Sequence, residues 1–277
     1  MKEKILITVK TYPTLSSKYA ELVCTAGVND AGEWRRLYPI RFRQLYDEQK
    51  YQKYQWVEAK LEPSKIDNRP ESFKIIEDSL QVIGEPLSTK NMWVQRRDAF
   101  INKVSIYKDL TVLIAQAHQN KLSLAAFKPS RFLDFICKPV EREWDSQKLK
   151  ELEDQKKQLH LFDDAETVAQ QFEVVNKLPY KFSYKFEDNK GRSSTLMIED
   201  WEIGALYWNC LRNSFGDEKV AVQKVREKFW ERFVASNKHD LTLILGTTLE
   251  FHRKKALNPF VIIGVFYPPK DIQGRLF

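Results

Sequence analysis

A hairpin arm near the N-terminus of the chain reads Trp34-Arg35-Arg36-Leu37-Tyr38-Pro39-Ile40-Arg41-Phe42-Arg43. Upstream of it, Tyr19–Val28 has the composition of a β-strand, and Asn29-Asp30-Ala31-Gly32 has that of a turn. These segments predict a β-hairpin whose second strand runs from Glu33 to Tyr38 and then into a loop that contains a proline. The arginine-rich stretch therefore begins on a strand and ends in a loop.

Further strand-like segments surround this hairpin, with Ile5–Val9 before it and Gln55–Leu61 after it. Together they predict a small, curled, mostly antiparallel sheet that is partly barrel-like. From Asn91 to Tyr107 the apolar residues recur at helical spacing. We therefore predict a first domain over residues 1–140, rich in strands and carrying helices in its C-terminal part.

The composition changes after residue 140. Residues 141–164 contain thirteen charged residues of both signs and neither Gly nor Pro. This pattern predicts a charged connector over 141–177. Strand and helix patterns alternate beyond it and predict an α+β domain over 178–277. The whole chain is thus expected to be an α+β protein.

Composition restricts the possible functions only weakly. The 277 residues include 45 Lys and Arg against 38 Asp and Glu, which gives a formal net charge of +7 and mildly favours a polyanionic partner. No apolar run approaches membrane-spanning length, so we expect no membrane partner and a cytoplasmic location. The three cysteines lie far apart and form no metal-binding motif. No cofactor motif is present either, so the sequence predicts neither a metal nor a cofactor.

The arginine-rich stretch is the main candidate for nucleic-acid binding, because guanidinium groups bind phosphates and aromatic rings stack on bases. The residues that we assign to this role are Trp34, Arg35, Arg36, Tyr38, Arg41, Phe42 and Arg43. The alternative is a strand whose arginines merely cover its outer face. Because adjacent strand residues point to opposite faces, either Arg35 or Arg36 should face a pocket or a buried acid, for which Asp67 and Glu71 are candidates.

A second basic surface is predicted on a helix in the C-terminal half. Lys224, Lys228 and Arg232 are spaced by four residues and so share one helix face. They could track a nucleic-acid backbone. The alternative is an ordinary solvated helix face, since Glu227 and Glu231 belong to the same helix.

The charged connector contains the pentapeptide Gln158-Leu159-His160-Leu161-Phe162. It resembles the Gln-Leu-x-Leu-Phe peptide with which many bacterial replication and repair proteins bind the sliding clamp. The resemblance implies that Leu161 and Phe162 insert into an apolar pocket of a partner while Gln158 hydrogen-bonds at its rim. The alternative is that Leu159, Leu161 and Phe162 pack on the chain's own core.

Glu58 and Lys60 provide the enzymatic alternative. They lie two apart on a predicted strand and therefore project to the same face. A Glu-x-Lys pair of this kind, together with an upstream Asp, resembles the active sites of metal-dependent nucleases of the restriction-enzyme fold. The tripeptide is also frequent in strands by chance.

Three segments together are similar to an uncharacterised group of bacterial proteins associated with genome-defence gene neighbourhoods. They are Val23-Cys24-Thr25-Ala26-Gly27, Trp34-Arg35-Arg36-Leu37-Tyr38-Pro39 and Glu199-Asp200-Trp201-Glu202. The resemblance implies a context and no residue role.

The sequence thus favours a nucleic-acid-binding accessory protein in repair, replication or phage defence, with DNA preferred to RNA. The alternatives are a metal-dependent nuclease and a protein-interaction subunit that joins a neighbouring defence protein.

Overall fold

The structure of the protein is a computed structural model, and it describes residues 2–16, 20–40, 42, 45, 47–76, 79–159 and 176–270. It confirms the prediction of an α+β fold, with a five-stranded barrel in the N-terminal region and further sheets and helices in the C-terminal region. Within the described residues, no helix is both long and apolar enough to cross a membrane.

The N-terminal strands form a seven-stranded sheet that closes on itself. Its strands are β1 (Lys2–Lys10), β2 (Thr14–Ser16), β3 (Ala20–Asn29), β4 (Trp34–Ile40), β5 (Trp56–Pro63), β6 (Ser72–Ile75) and β7 (Gln81–Ile83). The closed circuit runs β1-β3-β4-β6-β5 and returns to β1. All of its pairings are antiparallel except the parallel pairing of β4 with β6. A short 3-10 helix (Asp47–Gln49) lies between β4 and β5.

Alternation along the strands separates the two faces of the barrel wall. On β1, Ile5 and Ile7 belong to the cluster that fills the barrel, together with Leu37 of β4 and Val57 of β5. The next residue along β1, Leu6, belongs to a different cluster outside the barrel. The hairpin predicted from the sequence is therefore part of a closed wall that is apolar on both sides.

The described residues of the C-terminal part form seven further strands. They are β8 (Ile106–Tyr107), β9 (Leu124–Phe127), β10 (Arg131–Pro139), β11 (Tyr180–Glu187), β12 (Ser193–Met197), β13 (Thr242–Thr247) and β14 (Phe260–Phe266). One sheet has the order β14-β13-β9-β8, and the other has the order β10-β11-β12. Because β9 pairs with β13 and β10 pairs with β11, residues on both sides of the charged connector form common sheets.

Six helices occur in the described residues. They are α1 (Lys90–Arg96, continued by π-helical Arg97–Ile101), α2 (Leu110–His118), α3 (Ser146–Leu159), α4 (Trp201–Asn213), α5 (Glu218–Arg226, continued by π-helical Glu227–Ala235) and α6 (Leu249–Arg253). Asp109, Asp200 and Asp217 cap α2, α4 and α5 by accepting hydrogen bonds from backbone N–H groups of the first turn. Tyr207 on α4 and Phe229 after α5 are buried in the C-terminal core.

Two boundaries differ from the sequence-based prediction. The first domain was predicted to end at residue 140, whereas β8, β9 and β10 pair with strands of the C-terminal sheets. The helix predicted from Asn91 to Tyr107 is wrong at its end, since the helical turns stop at Ile101 and Tyr107 is part of β8. Within the described residues of the charged connector, α3 covers residues 146 to 159.

The barrel packs on the larger C-terminal sheet through the outer face of β1 and β3. Leu6, Val9, Ala26 and Val28 from the barrel form one buried cluster with residues of the sheet. The sheet contributes Leu124, Ile244, Val261, Ile263 and Phe266. This contact places the end of β1 beside the start of α4, where Thr11 pairs with Asp200. It also places Arg36 of β4 beside Thr247 at the end of β13.

Gly27 provides a test of how closely the barrel strands approach each other. A Cβ atom on Gly27 of β3 would lie 2.1 Å from the carbonyl oxygen of Leu6 in β1. We expect Gly27→Ala to lower the free energy of unfolding by about 2 kcal/mol or more, because backbone atoms must move apart. Urea unfolding measures this difference.

Gly264 in β14 is the matched control. A methyl group at this position would contact the flexible end of the Ile244 side chain at 3.2 Å, so Gly264→Ala should cost less than Gly27→Ala. Equal unfolding free energies for the two variants would show that the barrel wall is looser than described.

Candidate functional site

Arg35 and Arg36 lie on opposite faces of β4, as strand alternation requires. Arg35 donates from Nε and Nη2 to the two carboxylate oxygens of Glu3, at 2.8 Å each, and it also forms an ion pair with Glu33 at 2.6 Å. Its side chain is only 12% exposed. These contacts direct the guanidinium of Arg35 to acids of the barrel itself.

Arg36 is buried between the barrel and the C-terminal sheet, with 2% of the residue exposed. Its Nη2 donates to the carbonyl and the hydroxyl oxygen of Ser123 at 3.0 Å, and its Nη1 donates to the carbonyl of Thr247 at 3.4 Å. Its Nε has no hydrogen-bond partner among the described residues. In this conformation Arg36 is not accessible to a phosphate.

As expected, one of the two arginines, Arg36, lies near Asp67 and Glu71. Its guanidinium, however, forms hydrogen bonds with other residues. Both acids lie close enough to Arg36 to act on its charge, but within the described part of the chain neither carboxylate accepts a hydrogen bond from its guanidinium. Glu71 instead accepts the backbone N–H of Arg36 with its carbonyl oxygen at 2.6 Å. Asp67 instead receives the guanidinium of Arg69, whose Nε lies 2.8 Å from Oδ1. Glu71 accepts the backbone N–H of Ser123 at 2.8 Å.

His252 completes this buried network. Its Nδ1 lies 3.1 Å from the hydroxyl of Thr247, and its Nε2 lies 2.8 Å from Oδ1 of Asn120. Burial lowers the pKa of His252, and the charges of Arg69 and Arg36 lower it further. A neutral imidazole therefore suits this position.

The other members of the arginine-rich stretch that the structure describes do not form one surface. Trp34 packs edge-on against Phe100, with ring centroids 5.6 Å apart. Tyr38 is half-buried on the outside of the barrel, and Phe42 is half-buried at the barrel end. Arg41 and Arg43 lie outside the described residues.

Tyr38 borders a cavity of about 300 Å³. The lining residues are Tyr38, Glu62, Pro63, Ser64, Lys65, Ile66 and Lys74. Arg253, at the end of α6, donates to the carbonyl of Ile66 at 2.6 Å and so brings a further cation beside the cavity. We call Tyr38, Lys65, Ile66, Lys74 and Arg253 the Tyr38 surface.

Phe42 belongs to a second group at the end of β1. The Nζ atom of Lys10 lies 3.4 Å from the ring centroid of Phe42, 5.0 Å from that of Trp201 and 5.7 Å from that of Tyr51. Across the described residues, no carboxylate forms an ion pair with Lys10. Burial, assisted by the charge of Lys53, lowers the pKa of Lys10 to about 8.

Lys53 lies near Lys10, but carboxylates rather than aromatic rings surround its amine. Its Nζ lies 2.9 Å from Oδ2 of Asp200 and 3.1 Å from Oε1 of Glu202. Burial opposes the charge of Lys53, but the two carboxylates outweigh it and raise its pKa. We call Lys10, Phe42, Tyr51, Lys53, Asp200, Trp201 and Glu202 the lysine–aromatic site.

The sequence did not indicate the lysine–aromatic site. Carboxylates such as Asp200 and Glu202 are common at helix starts, and Asp200 caps α4 by accepting the N–H of Glu202 at 3.0 Å. The same carboxylate also binds Lys53, which is 147 residues away in the chain. The one available signal is that residues 199–202 carry more carboxylates than a single helix start requires.

The three residues of the predicted second basic surface lie on α5 and its π-helical continuation. Lys224 forms an exposed ion pair with Glu227 at 2.8 Å, and Lys228 lies beside the ring of Phe229. Arg232 is exposed on the same helix.

Glu58 forms an ion pair with Lys2, and Lys60 lines a separate cavity on the outer wall of the barrel. Among the described residues, no three His, Cys, Asp or Glu side chains are grouped as metal ligands would be.

Gln158 and Leu159 end α3, whereas Leu161 and Phe162 lie outside the described residues, so the clamp-binding peptide stays a prediction.

Comparisons with known proteins divide the chain into two regions. Residues 1–102 match a domain of unknown function, DUF8758, and residues 107–277 match another, DUF8757. The second match covers more than half of the chain. The chain belongs to the DUF8757 family. A search of curated proteins found no match.

The lysine–aromatic site spans the two regions. Lys10, Phe42 and Lys53 come from the DUF8758 region, and Asp200 and Trp201 come from the DUF8757 region. The buried network is also shared, because Arg36 and Ser123 belong to different regions. Both groups of polar residues therefore exist only where the DUF8758 and DUF8757 regions meet.

Removing the cation of the buried ion pair should be costly. In Lys53→Met, Asp200 is left buried without its cation, so we expect a loss of about 3 kcal/mol of unfolding free energy near neutral pH. Burial already raises the folded-state pKa of Asp200, and removing the charge of Lys53 would raise it further above its unfolded-state value. Such a group stabilises the fold below the unfolded-state pKa, so the deficit should shrink at about pH 4.

Lys50 offers a matched control three residues away. Its ion pair with Asp47 is exposed, so Lys50→Met should leave the unfolding free energy nearly unchanged at both pH values. Chemical denaturation at two pH values tests both variants. A Lys53→Met variant as stable as the parent would show that the ion pair contributes nothing to the fold.

Proposed function

We propose that the protein binds nucleic acid through the Tyr38 surface, as an accessory factor in DNA repair, replication or phage defence. The observation that carries the proposal is a half-buried aromatic ring at the wall of a cavity that two lysines also line. A ring of this kind can stack on an unpaired base while neighbouring cations bind the phosphates. The surface therefore suits single-stranded DNA or an unpaired base better than a closed duplex.

The charge of the Tyr38 surface supports this assignment. In the described part of the chain, no carboxylate forms an ion pair with Lys65 or Lys74, and both side chains are exposed. Glu62 is the one acid among the residues that line the cavity. Arg253 adds a cation, and the exposed Lys255 lies two residues beyond it, whereas Lys254 forms an ion pair with Glu250 at 2.6 Å.

The topology of the barrel gives independent support. Its five strands, taken in chain order, pair as first-second-third-fifth-fourth and back to the first, and only the third and fifth are parallel. This is the Greek-key arrangement of OB barrels, many of which bind oligonucleotides across their second and third strands. Shared topology does not determine function, so the Tyr38 surface carries the argument.

The site differs from the one expected from the sequence. In OB barrels the ligand lies on the outer face of the second and third strands, which here are β3 and β4. Much of that face packs on the C-terminal sheet and contains the buried Arg36. Tyr38, two residues further along β4, is where the same side of the strand reaches the surface.

Salt dependence tests the electrostatic part of the proposal. Binding of a labelled single-stranded oligodeoxynucleotide, followed by fluorescence anisotropy, should weaken as salt rises. The Lys65→Ala/Lys74→Ala double variant should bind more weakly and with a smaller slope of log Kd against log salt, by roughly 0.7 for each lysine.

Lys190 is the matched control for the double variant, because it is exposed in the β11–β12 turn, away from the Tyr38 surface. Lys190→Ala should keep the affinity and the slope of the parent protein. Binding that does not respond to salt, or an equal loss in Lys190→Ala, would exclude the Tyr38 surface.

Tyr38 tests the stacking part. Tyr38→Ala should weaken binding about tenfold because a base loses its aromatic partner, with little change of the salt slope. Tyr38→Phe keeps the ring and should bind like the parent protein. If Tyr38→Phe loses as much affinity as Tyr38→Ala, the hydroxyl rather than the ring is what contacts the ligand, and stacking is refuted.

A further inference from the structure

The lysine–aromatic site contains two lysines whose pKa values are shifted in opposite directions. Lys53 is paired with two carboxylates, and it therefore stays charged. Lys10 faces three aromatic rings instead, and the whole residue is only 9% exposed. The site thus contains one fixed cation and one amine without an acid partner in the described residues.

Three features of this arrangement decide the charge of the Lys10 amine. The rings of Phe42, Tyr51 and Trp201 exclude water from its ammonium form. The nearby charge of Lys53 repels a second positive charge. Burial and the charge of Lys53 together lower the pKa of Lys10 to about 8. Attraction between an ammonium and aromatic faces acts in the opposite direction.

We propose that Lys10 is a nucleophilic amine that condenses with an aldehyde to form a Schiff base. A lysine that is desolvated or placed beside another cation is the usual form of such a nucleophile. Phe42 and Trp201, which border the amine, are each half-buried, so the amine lies close to the surface of the fold.

The reaction is balanced without a cofactor. The lone pair of the Lys10 Nζ attacks the aldehyde carbon, and the electron pair of the C=O π bond moves to oxygen. A proton passes from nitrogen to that oxygen to give a carbinolamine. Loss of water then leaves a C=N bond between Nζ and the former carbonyl carbon.

The aldehyde can come from two sources that share this chemistry. One is a free small aldehyde. The other is the ring-opened sugar of an abasic site in DNA, and this source alone rests on the proposed function. Binding of intact DNA at the Tyr38 surface is measured separately, so failure of that function and failure of the Lys10 proposal are distinguishable.

Reductive trapping tests the proposal. The full-length protein is incubated with propanal and cyanoborohydride, and peptide mass mapping compares the alkylation rates of Lys10 and Lys190. Lys190 is exposed in a turn and serves as an internal reference. At neutral pH we expect Lys10 to react at least about tenfold faster, because far more of its amine is neutral. The rate at Lys10 should rise with a midpoint near pH 8.

A parallel arm replaces propanal with an oligodeoxynucleotide that contains one abasic site. A cross-link at Lys10 identifies DNA as a source, whereas labelling by propanal alone leaves the proposal standing with a free aldehyde. Lys10→Arg should abolish both products at this position. The rate ratio is measured within the parent protein, so it decides even where that variant fails to fold. Propanal labelling of Lys10 no faster than that of Lys190 overturns the proposal.

Discussion

The contact between the outer face of the barrel and the larger C-terminal sheet is the constraint on which the other features depend. It is apolar at its centre, where Leu6 and Val28 meet Ile244 and Ile263. At its edge it contains Arg36, a cation that is 2% exposed. A buried guanidinium without acceptors costs several kcal/mol, so the carbonyls of the DUF8757 region that receive it fix how the two regions meet.

The same contact determines which surfaces of the barrel can act. It covers the face on which OB barrels bind their ligands, so a polymer cannot lie across β3 and β4 without separating the regions. Two of the described surfaces that stay uncovered lie beside the contact. One is the Tyr38 surface on the outer wall, and the other is the end of β1, where α4 begins and Asp200 reaches Lys53.

Sequence periodicity predicted much of the fold, because the hairpin and the strands of the barrel alternate apolar residues on short scales. It also predicted that Arg35 and Arg36 diverge, which follows from the geometry of any strand. It could not assign their partners, since Ser123 and Thr247 are brought to Arg36 only by tertiary packing. Lys10 was missed for the same reason: no local pattern distinguishes it from a surface lysine at the end of a strand.

The acidic residues near the lysine–aromatic site and near the Tyr38 surface determine which kind of ligand suits each of them. Asp200 and Glu202 nearly neutralise the lysine–aromatic site, and they would repel a phosphate brought close to Lys10. The Tyr38 surface has two lysines without an ion pair in the described residues and an arginine, with one acid, which is the charge balance that a polyanion requires. A neutral carbonyl compound, in contrast, meets no such repulsion at Lys10. The carboxylates that pair with Lys53 therefore make Lys10 a poor phosphate ligand, whereas its burial against aromatic rings favours the neutral, nucleophilic form of the amine.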